Sequence, residues 1–293
     1  MVSPLNYIIN YDYETGGLDS EVNPPTEVAM VVIDAKTLEI VEEFSAMFRP
    51  RLDLSFIQEN SKKEANRIFK ELSCKEEETN LKRMEYKGEL ITPRNISDMC
   101  PDIEAFKIFL VERKSSIIEY EEYLELLKTE HAPIVEVFFN LCYNPQALSV
   151  THMSIEMLLN EGLPANEVYC KMIDIVNKYT NGVHKPILAG HNIQDFDNPF
   201  LIKGFKIIDV DIMQKVNTFL LDTLFLARLK WNELPFYNLG TVANALGLTL
   251  KEAHRALPDT IANAKVVIAL IRNLRGEGQG ESEYVRKKYQ MNY

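Results

Sequence analysis

Two acidic side chains, Asp12 and Glu14, stand one residue apart after the apolar stretch LNYIIN and just before Gly16-Gly17. The stretch is rich in β-formers, and side chains alternate across a strand, so both carboxylates are expected on one face of a strand running to about Tyr13. Two carboxylates about 6–7 Å apart on one face repel each other unless a cation lies between them. The pair is compatible with a cation site or with a solvated turn.

Two further acidic stretches stand beside predicted apolar elements, one after a buried strand and one at the start of an apolar helix. Asp197 stands in GHNIQDFDNPF, directly after a short apolar run, and Asp259 stands in HRALPDT, five residues after His254. Each has a purely structural alternative: Asp197 as the N-cap of a helix over NPFLIKGF, and Asp259 as a favourable charge in the first turn of the last helix. His254, taken alone, is compatible with an ordinary loop residue.

Together the three stretches have the pattern D-x-E, then N-x-x-x-F-D, then H-x-x-x-x-D. This pattern resembles the three motifs of the DEDDh group of DnaQ-like 3′→5′ exonucleases, which includes polymerase III epsilon-type proofreading subunits, RNase T and oligoribonuclease. YDYETGG is similar to the first motif, AGHNIQDFDNPFL to the second and HRALPDTIANAKVV to the third. The resemblance covers about 1–50 and 144–275, and it implies an RNase H-like α/β fold and a phosphodiester hydrolase that acts on 3′ ends.

The chemistry of such a site explains the acidic residues. Phosphodiester hydrolysis needs an activated water, stabilisation of the phosphate charge and a shielded leaving oxygen, and two divalent ions about 3.5–4 Å apart supply all three. Mg²⁺ or Mn²⁺ prefers oxygen ligands, so Asp12, Glu14, Asp197 and Asp259 are the candidate ligands of two such ions. His254 is the candidate general base, because a pKa near 6.5 suits proton removal near neutrality.

The resemblance also predicts substrate contacts. Thr15 and Gly16 would lie against the 3′-terminal sugar and Asn192 near the substrate, and the glycines after Glu14 would let backbone amides approach the terminal nucleotide. The expected substrate is a single-stranded or frayed 3′ end, released as nucleoside 5′-monophosphates. DNA is the favoured polymer and RNA the alternative, since these motifs do not encode contacts to the 2′-hydroxyl.

The elements that position these residues follow from apolar periodicity. Strands are predicted over 5–13, 27–34, 38–50, 185–192 and 216–223, with a β-hairpin turn at Ala35-Lys36. Helices are predicted at about 153–160, 165–179, 198–205, 239–246 and 258–275. Asp222, which precedes TLFLARL, is a predicted N-cap. Early strands followed by strand–helix alternation give an α/β fold with a central mixed β-sheet flanked by helices.

The domain organisation is predicted from a change of pattern after the third strand. Residues 1–51 and 144–275 form the exonuclease core, and 52–143, whose apolar residues follow helical spacing most clearly over 102–130, form a helical insertion. That insertion is either packing on the sheet, a lid over the substrate, or a surface for a polymerase or another replication protein. Residues 276–293 are predicted to be a mobile polar and basic tail.

Bulk composition limits the partners and the compartment. A net charge of −11 opposes extended duplex binding, which depends on many Lys and Arg contacts to phosphate, so metal ions and a short local contact are expected instead. The sequence has no run of 18 apolar residues, so no membrane span is expected. It also has no basic segment followed by an apolar one at its start, so no secretory signal is expected. Four dispersed cysteines disfavour a disulfide framework or a zinc site. A cytoplasmic location is expected.

Overall fold

The computed structural model describes residues 7–54, 85–86, 89–90, 112, 115–248 and 255–277. The chain divides into two compact units. The first comprises Met1–Glu14, Pro25–Phe48 and Glu161–Tyr293, and the second comprises Thr15–Pro24 and Arg49–Asn160. The predicted core, insertion and tail have different boundaries from these units, and they stay a prediction.

The described strands and helices are numbered in chain order. The strands are β1 Tyr7–Thr15, β2 Pro25–Asp34, β3 Ile40–Met47, β4 Arg51–Asp53, β5 Glu85–Tyr86, β6 Glu89–Leu90, β7 Ile117–Glu119, β8 Ile187–Gly190 and β9 Leu220–Asp222. The helices are α1 Tyr120–Leu126, α2 Ala132–Cys142, α3 Pro145–Val150, α4 Ile155–Glu161, α5 Ala165–Lys178, α6 Asp197–Phe205, α7 Thr223–Lys230, α8 Leu239–Ala245 and α9 Ala256–Leu274.

A five-stranded sheet in the order β3-β2-β1-β8-β9 forms the centre of the first unit. The strands β2 and β3 pair antiparallel as a hairpin, whereas β1, β8 and β9 run parallel to one another. The predicted α/β fold with a mixed sheet is therefore confirmed. Because parallel strands end at the same edge, the segments that follow β1, β8 and β9 begin side by side, and this edge is where ligands bind in open α/β sheets.

The strand β2 has a core on each of its faces. Val28, Met30 and Val32 pack into a cluster with residues of α5 and α6, and Val31 and Ile33 pack into a second cluster with residues of α9. Alternation along the strand explains this division, since successive side chains point to opposite faces. The sheet is thus covered by helices on both sides, as expected for strands that are apolar along their whole length.

The hairpin turn is closed by Asp34. Its carboxylate accepts hydrogen bonds from the backbone amides of Lys36 and Thr37, and Leu38 takes a positive φ of 61° to complete the turn. An aspartate that binds amides two and three residues ahead is a common turn device. The predicted turn at Ala35-Lys36 is confirmed.

The second unit has its own small core. The strands β4 and β7 pair antiparallel, with Leu52 opposite Ile118, and the rings of Tyr123 and Phe139 stack with centroids 4.4 Å apart. Tyr143 joins the helices to β4, because its hydroxyl accepts from the Arg51 amide at 2.8 Å and donates to the Arg51 carbonyl at 3.0 Å.

Most of the predicted elements are confirmed, with three corrections. The strand predicted over 216–223 is shorter, since β9 covers only Leu220–Asp222, and the strand predicted over 38–50 covers only Ile40–Met47. The helical prediction over 102–130 is wrong at Ile117, which pairs in β7, and is confirmed at α1. Residues 55–84, 87–88, 91–111, 113–114 and the tail from 278 onwards lie outside the described residues. None of the described helices combines the length and apolarity needed to cross a membrane.

Candidate metal centre

Three carboxylates from two elements meet at one end of the sheet. Asp12 and Glu14 stand near the C-terminal end of β1, and Asp259 stands in the first turn of α9. Each offers an oxygen atom, and the three oxygens lie within 4.8 Å of one another, with all three side chains partly buried. The structure therefore brings together Asp12 and Glu14 with a residue more than two hundred positions away.

Asp197 lies against the same strand but in a different setting. It is 2% exposed, it is the first residue of α6, and its Oδ1 accepts the backbone amide of Tyr13 at 2.9 Å. That amide is available because the pairing of β8 with β1 extends only to Asn10. Asp197 is thus bound to the residue between Asp12 and Glu14, although it falls outside the group of three oxygens within 4.8 Å.

Asp197 is not the N-cap of the helix that follows it. Phe196 occupies the N-cap position of α6, and Asp197 is the first helical residue. The same stretch holds a second aspartate, Asp195, which is exposed. Of the two aspartates in that stretch, Asp197 alone is placed against β1.

Burial and mutual repulsion raise the pKa values of the clustered acids. Removal from water raises the pKa of Asp12 well above its ordinary value, and the charges of Asp197, Glu14 and Asp259 raise it further. Burial, with the nearby charges of Asp259, Glu27 and Asp197, raises the pKa of Glu14 to about 8.

Asp197 shows the same effect with a partial compensation. Burial raises the pKa of its carboxyl to about 7, although the amide hydrogen bonds from Tyr13 and from its own backbone favour the charged form. At neutral pH these acids are therefore held partly protonated unless a cation neutralises them.

A divalent cation fits this set of side chains. The donors are carboxylate oxygens, which Mg²⁺ and Mn²⁺ prefer, and three of them already lie close enough to share one ion. The Arg255 guanidinium lowers the pKa of Glu14 but is itself bound by Glu27, so it does not neutralise the group.

The other predicted site residues have diverse positions. His254 lies outside the described residues. Asn192, two residues after β8, has a left-handed φ of 66°, and its backbone amide donates to Asp222 Oδ1 at 3.0 Å. In the second unit, Thr15 Oγ1 donates to the Gly17 carbonyl. Their assignments as base and substrate contacts stay predictions.

Gly16 is required by a close approach of the chain. Its amide donates to the Pro24 carbonyl at 2.9 Å, and its carbonyl accepts from the Asn144 amide at 2.8 Å. A Cβ at this position would lie 2.2 Å from the Cys142 carbonyl oxygen, which is far inside contact distance. This packing within the second unit is sufficient reason for a glycine here, whatever the residue contacts in a substrate.

Asp222 organises the segment that leads to Asp197. Its carboxylate caps α7 by accepting the Leu224 amide at 2.9 Å, which confirms the predicted N-cap. The same carboxylate accepts the amides of Asn192 and Gln194, at 3.0 Å and 3.3 Å. The half-buried Asp222 carboxylate therefore fixes both the start of α7 and the turn before Asp197.

His191 is held on both ring nitrogens. Nε2 donates to the Tyr237 carbonyl at 2.8 Å, and Nδ1 lies 2.9 Å from Thr223 Oγ1. Burial lowers its pKa, against the raising effect of the Tyr237 hydrogen bond and the Asp222 charge. These partners fit an ordinary hydrogen-bonded turn histidine.

A buried amide ladder connects α9 to the sheet, and sequence reasoning missed it. Asn10 Nδ2 donates to the Thr260 carbonyl at 2.8 Å, Asn263 Nδ2 donates to Asn10 Oδ1 at 2.9 Å, and Thr223 Oγ1 donates to Asn263 Oδ1 at 2.7 Å. The ladder fixes the helix turn next to Asp259. Its signal in the sequence was a single asparagine inside an otherwise apolar strand, since a polar group there must find a partner.

Comparison with known proteins supports an exonuclease. The family described as RNase_T: Exonuclease matches residues 143–267. DNA polymerase III PolC-type of Bacillus cereus is 26% identical over 181 residues, 60% of this chain and 12% of that protein. The PolC-type polymerase of Oceanobacillus iheyensis is 29% identical over 174 residues, 58% of this chain and 12% of that protein. The chain thus matches a small part of these long relatives.

Solved structures share the fold. Exonuclease I from Methylocaldum szegediense gives a TM-score of 0.53 at 16% identity, covering 93% of this chain and 41% of that chain. The chain therefore shares the fold of exonuclease I, and its residues 143–267 match the exonuclease family. The chain is also similar in fold to a zinc-bound E. coli exonuclease I complex with single-stranded DNA, at a TM-score of 0.54 and 14% identity, covering 93% of this chain and 42% of that chain.

A third solved structure of this fold is a 3′-exonuclease described as recognising a histone mRNA stem-loop. It gives a TM-score of 0.50 at 12% identity and covers 92% of this chain and 65% of that chain.

The raised pKa values predict a pH dependence in metal-free protein. The native state holds protons on Glu14 and Asp197, with pKa values of about 8 and about 7, that the unfolded chain releases at lower pH. The resulting stabilisation is complete below the ordinary carboxyl pKa and is lost as pH rises through about 7 to 8. We expect the melting temperature in EDTA to fall from pH 5 to pH 9.

Saturating Mn²⁺ should remove most of that fall, because metal ions bind the deprotonated carboxylates. Differential scanning fluorimetry across this pH range, with EDTA or Mn²⁺, measures the effect. A Mn²⁺-induced increase in melting temperature that does not grow with pH would contradict it. Asp195→Asn, which removes an exposed acid from the same segment, is the control and should behave as wild type.

Proposed function

We propose that the chain is a divalent-metal-dependent 3′→5′ exonuclease of the DEDDh type, which hydrolyses phosphodiester bonds at nucleic-acid 3′ ends and releases nucleoside 5′-monophosphates. The observation that carries the proposal is the meeting of Asp12, Glu14 and Asp259 within 4.8 Å, with buried Asp197 bound to the amide between the first two. Acids with pKa values raised in this way are typical of functional sites. The match of residues 143–267 to the exonuclease family supports this reaction class.

The proposed mechanism assigns each residue a part. Asp12, Glu14, Asp197 and Asp259 would hold two Mg²⁺ or Mn²⁺ ions. When bound, such ions lower the pKa of water and neutralise developing charge on the phosphate. His254, which stands five residues before Asp259 in the sequence, accepts the proton of the attacking water. Thr15 and Gly16 would lie against the 3′-terminal sugar, and Asn192 would lie near the substrate.

DNA is the proposed substrate, in single-stranded or frayed form. Support comes from the PolC-type DNA polymerases among the relatives and from the exonuclease I complex with single-stranded DNA. RNA is the alternative, and the 3′-exonuclease of histone mRNA favours it. Parallel digestion of end-labelled DNA and RNA oligomers of one sequence distinguishes the two, with faster DNA digestion expected and equal or faster RNA digestion contradicting the preference.

A second candidate function is a subunit of a replication complex in which residues 52–143 bind a polymerase or another replication protein. The similarity to PolC-type polymerases favours such a partner. This function is compatible with nuclease activity. This proposal keeps the predicted division of the chain into a core at 1–51 and 144–275 and an insertion at 52–143.

Removal of a carboxylate should abolish hydrolysis without unfolding the chain. Asp12→Asn and Asp259→Asn each remove a proposed metal ligand. Mutation of a residue that only holds a metal ligand in place costs about 10–100-fold in activity, so loss of a ligand itself should cost more. In EDTA the variants should be as stable as wild type or more so, because repulsion within the group is relieved. Release of 5′-mononucleotides with Mg²⁺ or Mn²⁺ and melting in EDTA are the two measurements.

Asp195→Asn is the matched control, since it removes an exposed acid near the same site and should retain activity. Full activity of Asp12→Asn would remove the mechanism.

His254→Ala should slow turnover without weakening metal binding. Loss of a general base costs about 10²–10⁴-fold in rate, and kcat should fall by that factor. Mn²⁺ affinity, measured by calorimetry, should stay within about twofold of wild type because the carboxylates are retained. An unchanged kcat would show that another group accepts the proton.

A further inference from the structure

Another acidic residue, Glu27, is buried near the metal centre but is not one of its candidate ligands. It begins the apolar run of β2, it is 5% exposed, and both of its oxygens are used. Oε2 accepts from Arg255 Nε and Oε1 accepts from Arg255 Nη2, each at 3.0 Å. Oε2 also accepts the backbone amide of Ala256 at 3.1 Å.

These contacts are made at the first residues of α9. Arg255 occupies the N-cap position, but its side chain forms no capping hydrogen bond, and Ala256 is the first helical residue. The first amides of a helix have no partner within the helix and need an outside acceptor. Glu27 supplies that acceptor from the sheet, with a negative charge that suits a helix N-terminus.

The geometry of this contact is restrictive. A planar guanidinium that donates two parallel hydrogen bonds to a carboxylate fixes both distance and orientation, which a single contact does not. A buried ion pair is a weak source of net stability, because desolvation offsets the attraction. Its main consequence here is to fix where α9 starts relative to β2.

Asp259 follows directly from that start. Its amide donates to the Arg255 carbonyl at 3.1 Å, so it lies one helical turn beyond the residue that Glu27 holds. The Asn10–Asn263 contact fixes the next turn of the helix. Asp259 therefore lies between two attachments of α9 to the sheet, and Glu27 provides the one on its N-terminal side.

We propose that Glu27 is a positioning residue of the metal centre: by holding Arg255 and Ala256 on β2, it sets the Asp259 carboxylate against Asp12 and Glu14. The inference rests on the proposed metal site and adds to it a residue that touches neither metal nor substrate. It predicts that loss of the Glu27 carboxylate weakens metal binding, whereas equal destabilisation elsewhere does not.

The test is Mn²⁺ affinity of the full chain, measured by isothermal titration calorimetry alongside the melting temperature. Glu27→Ala should lower the affinity by about 10-fold, at the lower end of what outer partners of metal ligands contribute. Glu27→Gln keeps an acceptor for the Ala256 amide but loses the charge-assisted pair, so its affinity should fall less. In the same titration, wild type must bind Mn²⁺; if it does not, the proposed function fails, independently of Glu27.

Two control variants separate positioning from general stability. Val28→Ala alters the next residue of β2, which is fully buried on the opposite face, and it should lower the melting temperature without changing Mn²⁺ affinity. Glu42→Ala removes an acid of β3 that pairs with Lys178 at 2.9 Å on the surface, and it should leave both unchanged.

If Glu27→Ala and Glu27→Gln bind Mn²⁺ as tightly as Val28→Ala does, the positioning role is wrong. If Glu27→Ala does not fold, Glu27→Gln decides alone: a weaker affinity than that of Val28→Ala supports the role, and an equal affinity overturns it.

Discussion

Repulsion among carboxylates at the end of β1 is the constraint on which the rest of the structure depends. Asp12, Glu14 and Asp259 share a space of a few ångströms, and buried Asp197 adds its charge from the neighbouring segment. Such a group is compatible with a stable fold when protons or cations neutralise it. The raised pKa values show that protons would neutralise the group in the absence of metal. The set of carboxylate oxygens also fits the second condition, neutralisation by a cation. The proposed nuclease would use the second condition for chemistry.

The polar contacts inside the fold make this crowding possible. Asp197 is bound to the part of β1 that follows its pairing with β8, and Asp222 fixes the turn that precedes Asp197. Glu27 fixes the start of α9, and Asn10 with Asn263 fixes its second turn. Each contact joins a helix or loop to the sheet at a buried point, where an unmade hydrogen bond would be costly. Hydrogen bonds between the sheet and the neighbouring helices and loops therefore hold the acids together, although the acids repel one another.

The sequence predicted what depends on local pattern. The alternation that puts Asp12 and Glu14 on one face, the hairpin turn and the Asp222 cap all follow from residues close together in the chain. The contacts of Glu27 with Arg255 and of Asn10 with Asn263 join residues more than two hundred positions apart. Local sequence periodicity therefore cannot predict them. The isolated polar residue in an apolar strand was a sign that a partner exists, without saying which. Ile117 was misassigned because its 3–4 spacing to later residues also fits a strand that leads into a helix.

The central claim is that these acids hold a divalent cation, and anomalous diffraction from crystals grown with Mn²⁺ tests it most directly. The account predicts manganese peaks at coordination distance, about 2.1 Å, from oxygens of Asp12, Glu14 and Asp259, with Asp197 on the same site. Crystals that diffract well in saturating Mn²⁺ and show no manganese peak at these side chains would contradict it.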